Sequence, residues 1–321
     1  MRRRALLAGL ATAPWAAAGS ARAQDSFASF VEGVRAEARR AGIREATLSA
    51  ALNPIRPNQS VIDRDRKQPE FTLTWARYPQ LHDVRQADRA RQSSLRRQSR
   101  AVPAGRRPLR RGPERHRGIW GLESNFGTDL GTYNVVEALA TLAWEGRRAS
   151  FFRSQLIAAL KILDHGDIAP ARMLGSYAGA MGQPQFMPDS YLRYAVDFDG
   201  TGRRDIWDDL GDVLGSIANY LASCGWRAGE PWGQPIRVPA TIDVSQTGRD
   251  MRRSLGAWQS LGVRRDDGSP FSRLDPEGAV ILPDGPGGEA FMVYHNFTAI
   301  RRYNPSDFYA LAVGLLGEMV T

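Results

Sequence analysis

Cysteine is nearly absent from this chain: Cys224 is the only one in 321 residues. One thiol cannot close an internal disulfide or supply a paired-cysteine metal site, and Cys224 reads as a small core residue. Histidine is scarce. His82, His116, His165 and His295 are scattered, with no H-E-x-x-H and no other zinc-ligand spacing. There is no P-loop, and neither Ser124 nor Ser176 has an evident histidine partner. Beyond the N-terminus no apolar run is long enough to span a bilayer. These absences argue against zinc hydrolases, nucleotide-phosphate enzymes and serine or cysteine nucleophiles.

What is present begins with an export pattern. Arg2, Arg3 and Arg4 precede a small, apolar run from Ala5 to Ala18, and Ala21-Arg22-Ala23 is an A-x-A cleavage site. Residues 1–23 are therefore expected to be a signal peptide, with the mature chain starting at Gln24 in the periplasm. An N-terminal anchor is the weaker reading because the run is short. No cysteine lies near the cleavage site, so the protein is not expected to be a lipoprotein.

The formal charge of +9 is confined to one window. Residues 82–117 hold twelve arginines against three acids, and the rest of the chain is neutral by count. The window from Val84 to Gly118 has no lysine, no aromatic residue, three prolines and no helical or strand period. A basic tether and an idle loop are open readings. A pair of compensating frameshifts in a GC-rich gene accounts best for an arginine-, alanine- and proline-rich insertion between patterned stretches. No nucleic-acid function is drawn from the charge, since basic residues that grip single strands are interleaved with aromatics.

The patterned parts are mostly helical. Residues 26–52 carry Phe27, Phe30, Val31 and Val34 at helical spacing, with Gly42 as punctuation and Pro54 and Pro57 as the end. Phe71, Leu73 and Trp75 begin another short element. Val135, Val136, Leu139, Leu142 and Ala143 form a buried stripe. Ser150 is expected to cap a helix with Phe152, Leu156, Leu160 and Leu163 on one face and Gly166 as its stop. Leu214–Leu221 and a final segment after Ser306 read as helices, as does a short one through Leu255, Trp258 and Leu261. Ala279–Leu282 and Ala290–Tyr294 read as strands of a hairpin joined by Asp284-Gly285-Pro286-Gly287-Gly288.

Three runs carry chemistry. In Ile119-Trp120-Gly121-Leu122-Glu123-Ser124-Asn125-Phe126-Gly127 one carboxylate stands among apolar and small residues before a glycine turn. Desolvation there disfavours the charged form, and a protonated glutamate in a cleft is what glycosidic cleavage needs as a general acid. A structural glutamate held by backbone donors is the competing reading. The second run, Leu174 to Pro188, mixes glycines and alanines with Ser176, Gln183 and Gln185 and with Tyr177, Met181, Phe186 and Met187. It offers hydrogen bonds and apolar faces together, the mixture a sugar requires, although a tight packing loop would look alike. In the third, counting from Asp197, oxygen ligands fall at positions 1, 3, 5 and 9 (Asp197, Asp199, Thr201, Asp205), with glycine at 6 and the Arg203 carbonyl at 7. Position 12 is Asp208, and Asp212 could substitute in a longer loop. A calcium loop and an ion-free acidic turn both remain open on this spacing.

Together, WGLESNFG, YNVVEALATLAW, GSYAGAMGQPQFMPDSY, AVDFDGTGRRDIWDD, GSIANYLASCGW and RYNPSDFYALAV resemble the membrane-bound lytic murein transglycosylase B family, in a soluble periplasmic form. The match is dense over residues 119–226 and good over 291–316. The resemblance implies an α+β, mainly α fold: a lysozyme-like catalytic core with an EF-hand-like loop, helical N- and C-terminal parts and a small β-containing insert. The expected divisions are 24–117, 118–235, 236–295 and 296–321. It also implies a lytic transglycosylase that cuts the MurNAc-GlcNAc β-1,4 bond of peptidoglycan and leaves 1,6-anhydromuramic ends. A hydrolytic muramidase and an impaired glycan-binding protein are the alternatives. Glu123 maps to the family's single acid/base. Ser176, Gln185, Tyr220, Asn304 and Tyr309 map to saccharide contacts, and the apolar faces read in the Leu174–Pro188 run add Phe186 and Met187 to the expected substrate-binding residues. The metal loop maps to Asp197, Asp199, Thr201, Arg203 and Asp212. A family tyrosine falls on Phe151, without its hydroxyl, and the arginine window replaces helical sequence ahead of Glu123. No catalytic cofactor is implied, only a structural Ca²⁺. The implied partners are glycan strands and cell-wall synthesis or division proteins, for a monomeric enzyme.

Overall fold

The computed structural model describes residues 26–67, 75 and 116–320. The export segment, nearly all of the arginine window, Phe71 and Leu73 lie outside the described residues. The expected helix over 26–52 is two helices, α1 (Phe27–Arg40) and α2 (Glu45–Leu52), because Gly42 takes φ +85° and turns the chain. α3 (Gln59–Arg66) follows, capped by the Asn58 side chain.

The helix of the Glu123 run, α4, spans His116–Ser124. It begins three residues before the patterned sequence resumes at Ile119, so the end of the arginine window is helical. α5 (Val135–Glu145) and α6 (Ala149–His165) form a hairpin through Gly146 at φ +100°. α6 starts one residue before Ser150, with Arg148 at its cap and no side-chain cap bond, so the expected serine cap is not used. Gly166 ends it as expected, at φ +85°. α1, α2, α5 and α6 close around a first core containing Val34, Leu48, Leu139, Phe152, Leu156 and Leu160.

The remaining elements are a two-residue ladder of β1 (Tyr133–Asn134) and β2 (Leu174–Gly175), then α7 (Pro188–Tyr194), α8 (Leu210–Ser223) and a five-stranded antiparallel sheet. The sheet comprises β3 (Gly233–Arg237), β4 (Arg253–Ser254), β5 (Arg264–Arg265), β6 (Glu277–Ile281) and β7 (Ala290–Val293), in the order β4-β6-β7-β3-β5. The expected hairpin is β6–β7. Its strands read as apolar runs because both faces are covered. Ala279, Ile281, Phe291 and Val293 point into a second core, while Val280, Ala290 and Met292 point into a third with Trp258 of α9 (Leu255–Ser260). Leu261, the last residue of the expected helix, is its exposed C-cap.

The second core joins the sheet to α4, α8, α10 (His295–Tyr303) and α11 (Asp307–Met319). α10 and α7 were not legible as helices from spacing. α4 and α11 come unusually close: a Cβ at Gly118 would stand 2.1 Å from the Val313 carbonyl oxygen, and one at Gly121 2.8 Å from the Leu316 side chain. That approach brings the last turn of α4 against the first turn of α11.

Candidate active site

Glu123 lies in the last turn of α4, where two non-glycine residues in the left-handed region, Asn125 (φ +46°) and Phe126 (φ +56°), reverse the chain. Such a backbone costs about 1–2 kcal/mol per residue. Burial of the Phe126 ring edge-on to Trp120, centroids 5.2 Å apart, offsets it. The Ser124 hydroxyl donates to the Trp120 carbonyl at 3.1 Å and accepts from the Gly127 N–H at 3.1 Å. The turn is thereby tied at both ends.

The Glu123 carboxyl is pushed up to about 7 by burial, against the lowering effect of one hydrogen bond. That bond comes from Tyr309 on α11, whose hydroxyl donates to Glu123 Oε1 at 2.5 Å across 186 residues of sequence. Among the described acids the other one raised is Asp212, which belongs to the acidic loop below. Since Tyr309 favours the ionised form, Tyr309→Phe is expected to raise the Glu123 pKa further. The alkaline limb of a pH–rate profile should then move to higher pH; an unmoved or lowered limb would contradict this role.

Tyr309 belongs to an aromatic cluster. The Tyr303 ring lies parallel to that of Tyr309, 6.5 Å away at 11°, and the Tyr303 hydroxyl donates to the Pro184 carbonyl at 2.5 Å. Burial, then the neighbouring Glu123 charge, holds that phenol well above its usual range. Tyr220 of α8 packs 4.6 Å from Tyr303 and 4.5 Å from Tyr194, and its hydroxyl donates to the Arg302 carbonyl at 2.7 Å. Phe186 is 2 % exposed beneath Tyr220 and Tyr303, at 5.7 and 5.8 Å. The expectation that Phe186 offers its own face to a sugar is thus corrected: it supports the two tyrosines. Met187 is half-buried at the cap of α7. Tyr303 and Tyr194 were not singled out from sequence. Tyr303 stands in the quoted RYNPSDFY run, but nothing in its spacing reveals a neighbour on α8.

Ser176 and Gln185 are shaped by the Leu174–Pro188 loop. The Ser176 hydroxyl accepts from the Ala180 N–H at 3.0 Å, and the backbones of these residues are bonded at 2.8 Å. Gln185 has φ +52°, and its amide N–H groups go to the Gly182 and Leu130 carbonyls at 2.9 and 3.3 Å. Asn304 is exposed in the turn between α10 and α11, its Oδ1 accepting from the Ser306 N–H at 3.1 Å. Phe151 is exposed on α6 and packs against Phe152.

The acidic loop gathers Asp197, Asp199 and Asp212, whose carboxylate oxygens lie within 4.8 Å of one another. Asp212 comes from the first turn of α8, is fully buried, and accepts from the Phe198 and Asp205 N–H groups at 2.7 and 2.6 Å. Burial first, then the Asp209 and Asp199 charges, pushes it up to about 6. Asp208, the twelfth position by counting, is exposed and ion-paired with Arg172 instead. The Thr201 N–H donates to Asp197 and Asp199 at 3.0 and 3.2 Å. Three carboxylates converging on one point, one of them buried, suit a hard dication with oxygen ligands.

Residues 26–318 match the model of the transglycosylase SLT domain. Over 209 residues the chain is 34% identical to membrane-bound lytic murein transglycosylase B of Escherichia coli K12; the alignment takes in 65% of this chain and 56% of that protein, so the chain spans about half the length of that relative. It is similar to the crystal structure of SltB3 from Pseudomonas aeruginosa in complex with NAG-anhNAM-pentapeptide (TM-score 0.81, 43% identity, 92% of this chain and 80% of that one). It is also similar to soluble lytic transglycosylase SltB1 of the same organism (TM-score 0.71, 32% identity, 91% and 98%). A calcium complex of the Escherichia coli lytic transglycosylase Slt35 matches at TM-score 0.67 and 29% identity, over 92% of both chains. The neighbours share the mainly helical α+β fold with a lysozyme-like core expected from the sequence. By the match over nearly its whole described length, the chain belongs to the SLT-domain family of lytic transglycosylases.

Proposed function

We propose that this protein is a peptidoglycan lytic transglycosylase and that Glu123 is its only acid/base. The observation that carries the reading is the Glu123 carboxyl, raised to about 7 by burial, bonded to Tyr309 and set against the cluster of Tyr303, Tyr220 and Tyr194. The protonated Glu123 gives its proton to the glycosidic oxygen between N-acetylmuramic acid and N-acetylglucosamine. No second carboxylate is needed if the muramic N-acetyl oxygen stabilises the developing positive charge at C1. The ionised Glu123 then takes the proton from the muramic C6 hydroxyl, whose oxygen attacks C1 and closes the 1,6-anhydro ring. Water is neither consumed nor released. Ser176, Gln185 and Asn304 hold the glycan's polar groups, Tyr220 lines its path and Met187 adds apolar contact, whereas Tyr309, 4 % exposed, serves the site through its bond to Glu123 and not as the expected saccharide contact. Digestion of purified murein tests the reading by mass: products lighter by one water than lysozyme fragments are expected, and fragments of full hydrolytic mass would make the enzyme a muramidase.

The peptidoglycan fragment bound by SltB3 supports glycan strands as the partner of this chain and an exported location; on our reading it acts in the periplasm as a monomer without a lipid anchor, beside cell-wall synthesis or division proteins. Asp197, Asp199 and Asp212 are proposed to hold a structural Ca²⁺, with Thr201 and the Arg203 carbonyl completing the loop. The ion would neutralise three facing carboxylates and stiffen the entry to α8. At about 100 Kd of calcium the folded state gains about 2.7 kcal/mol. A rise in melting temperature of several degrees between chelator and millimolar calcium is expected, and Asp199→Ala should abolish it. Identical melting curves in both buffers would refute the site.

A further inference from the structure

We infer that Gln183 is the positioning residue of this active site: its one side-chain amide ties the helix that carries Glu123 to the segment leaving the acidic loop. This inference rests on the reading of Glu123 as the acid/base. Gln183 is 3 % exposed, in the middle of the Leu174–Pro188 loop. Its Oε1 accepts from the Trp120 indole N–H at 2.7 Å, and its Nε2 donates to the Trp207 carbonyl at 2.7 Å. Its backbone N–H donates to the Ile206 carbonyl at 2.9 Å. An indole N–H only donates and a backbone carbonyl only accepts, so the bridging group must present an acceptor and a donor at once. A carboxylate, a hydrocarbon or a shorter chain cannot do this at the same reach.

What makes the bridge functional is where its ends fall. Trp120 is one helical turn before Glu123, on neighbouring surface of α4. On the other side of Glu123, a Cβ at Gly127 would stand 2.4 Å from Gln183 Oε1, so the turn leaving the helix rests on the same amide. The opposite end grips the segment leaving the acidic loop, and the Trp207 indole donates back to the Leu174 carbonyl at 3.3 Å, at the root of the Ser176 loop. Gly182, next in the chain, lies so close to Ile206 that a Cβ would meet its carbonyl oxygen at 2.7 Å. Acid helix, glycan-contacting loop and acidic-loop exit therefore meet at one buried amide. Gln183 touches no reacting atom. It acts through the orientation of Glu123 and through the dryness of its carboxyl.

The test compares the full chain with Gln183→Met, which keeps length and removes both hydrogen bonds, and Gln183→Glu. Each is assayed on murein across pH at a temperature well below its melting transition. Loss of orientation is expected to lower kcat by about 10- to 100-fold with KM within about threefold. The alkaline limb should shift to lower pH as Glu123 becomes wetter. Gln183→Glu is expected to recover relative to wild type as pH falls, because a protonated carboxyl can again accept from Trp120 and donate to Trp207. A second measurement does not depend on the reaction: the Glu123 carboxyl carbon is titrated by NMR, with Glu123→Gln as its assignment. It should titrate near 7 in the wild type and lower in Gln183→Met. An unchanged Glu123 titration, or an unchanged kcat in the folded Met variant, overturns the inference. A wild type that yields no anhydro products while the titration shifts as expected overturns the assigned reaction and leaves the positioning role standing.

Discussion

Glu123→Gln is expected to abolish turnover while leaving the fold and glycan binding intact. Glutamine matches the shape of the protonated acid and can still meet the Tyr309 hydroxyl, but it can neither give a proton to the leaving oxygen nor take one from the C6 hydroxyl. General acid–base catalysis contributes about 10²–10⁴-fold to rate, and both roles fall on one residue here, so a loss near the top of that range is expected. The wild type should show the matching pH dependence. A donor must be protonated in the free enzyme, so kcat/KM should be level below about 7 on this limb and fall as pH rises through that value. Activity within tenfold of wild type in the glutamine variant, or an alkaline limb beginning near the ordinary glutamate range, would remove Glu123 from the mechanism.

Gly118→Ala is expected to have the largest effect on stability. The added Cβ would stand 2.1 Å from the Val313 carbonyl oxygen, a backbone atom that cannot swing aside. α4 and α11 must separate. Overpacking of this kind costs about 1–3 kcal/mol, and at about 2–4 °C per kcal/mol the melting temperature should fall by roughly 5 °C. The effect should reach activity, since the same two helices carry Glu123 and Tyr309, and their 2.5 Å contact depends on that separation. Gly33→Ala is the control. It lies inside α1 with the Arg153 guanidinium, the nearest atom, at 3.7 Å. There alanine's helix propensity should raise stability by about 0.5–1 kcal/mol. If Gly118→Ala melts like the wild type, the two helices are not in the contact described.

The relation between Glu123 and its surroundings divides into what is local and what is not. Desolvation of Glu123 was legible because its cause is written beside it: Ile119, Trp120, Leu122 and Phe126 are apolar neighbours in the chain. Gly121 stands in the run and Gly118 just before it, but their purpose is not written there, because the Val313 and Leu316 atoms that need the space lie on α11. The oxygen spacing from Asp197 onward marked an acidic loop; counting put Asp208 at the twelfth position and left Asp212 as the alternative that the family resemblance preferred. Only the folded chain decides that Arg172 draws Asp208 outward while α8 brings the buried Asp212 inward.

The sequence by itself determined the helical stripes of α5, α6 and α11, the β6–β7 hairpin, the acid among apolar residues and the polar, glycine-rich loop. Each depends on interactions over a few residues: periodic burial, capping and turn conformation. The tertiary structure alone decided that Tyr309 meets Glu123 from 186 residues away, that Tyr194, Tyr220 and Tyr303 form one cluster, that Phe186 packs against it, and that Gln183 joins three segments through one amide. These depend on which surfaces pack together. A side chain's partner across the core leaves no period in its own segment, so the residues that tune the acid become visible only once α4, α8, α10 and α11 have met.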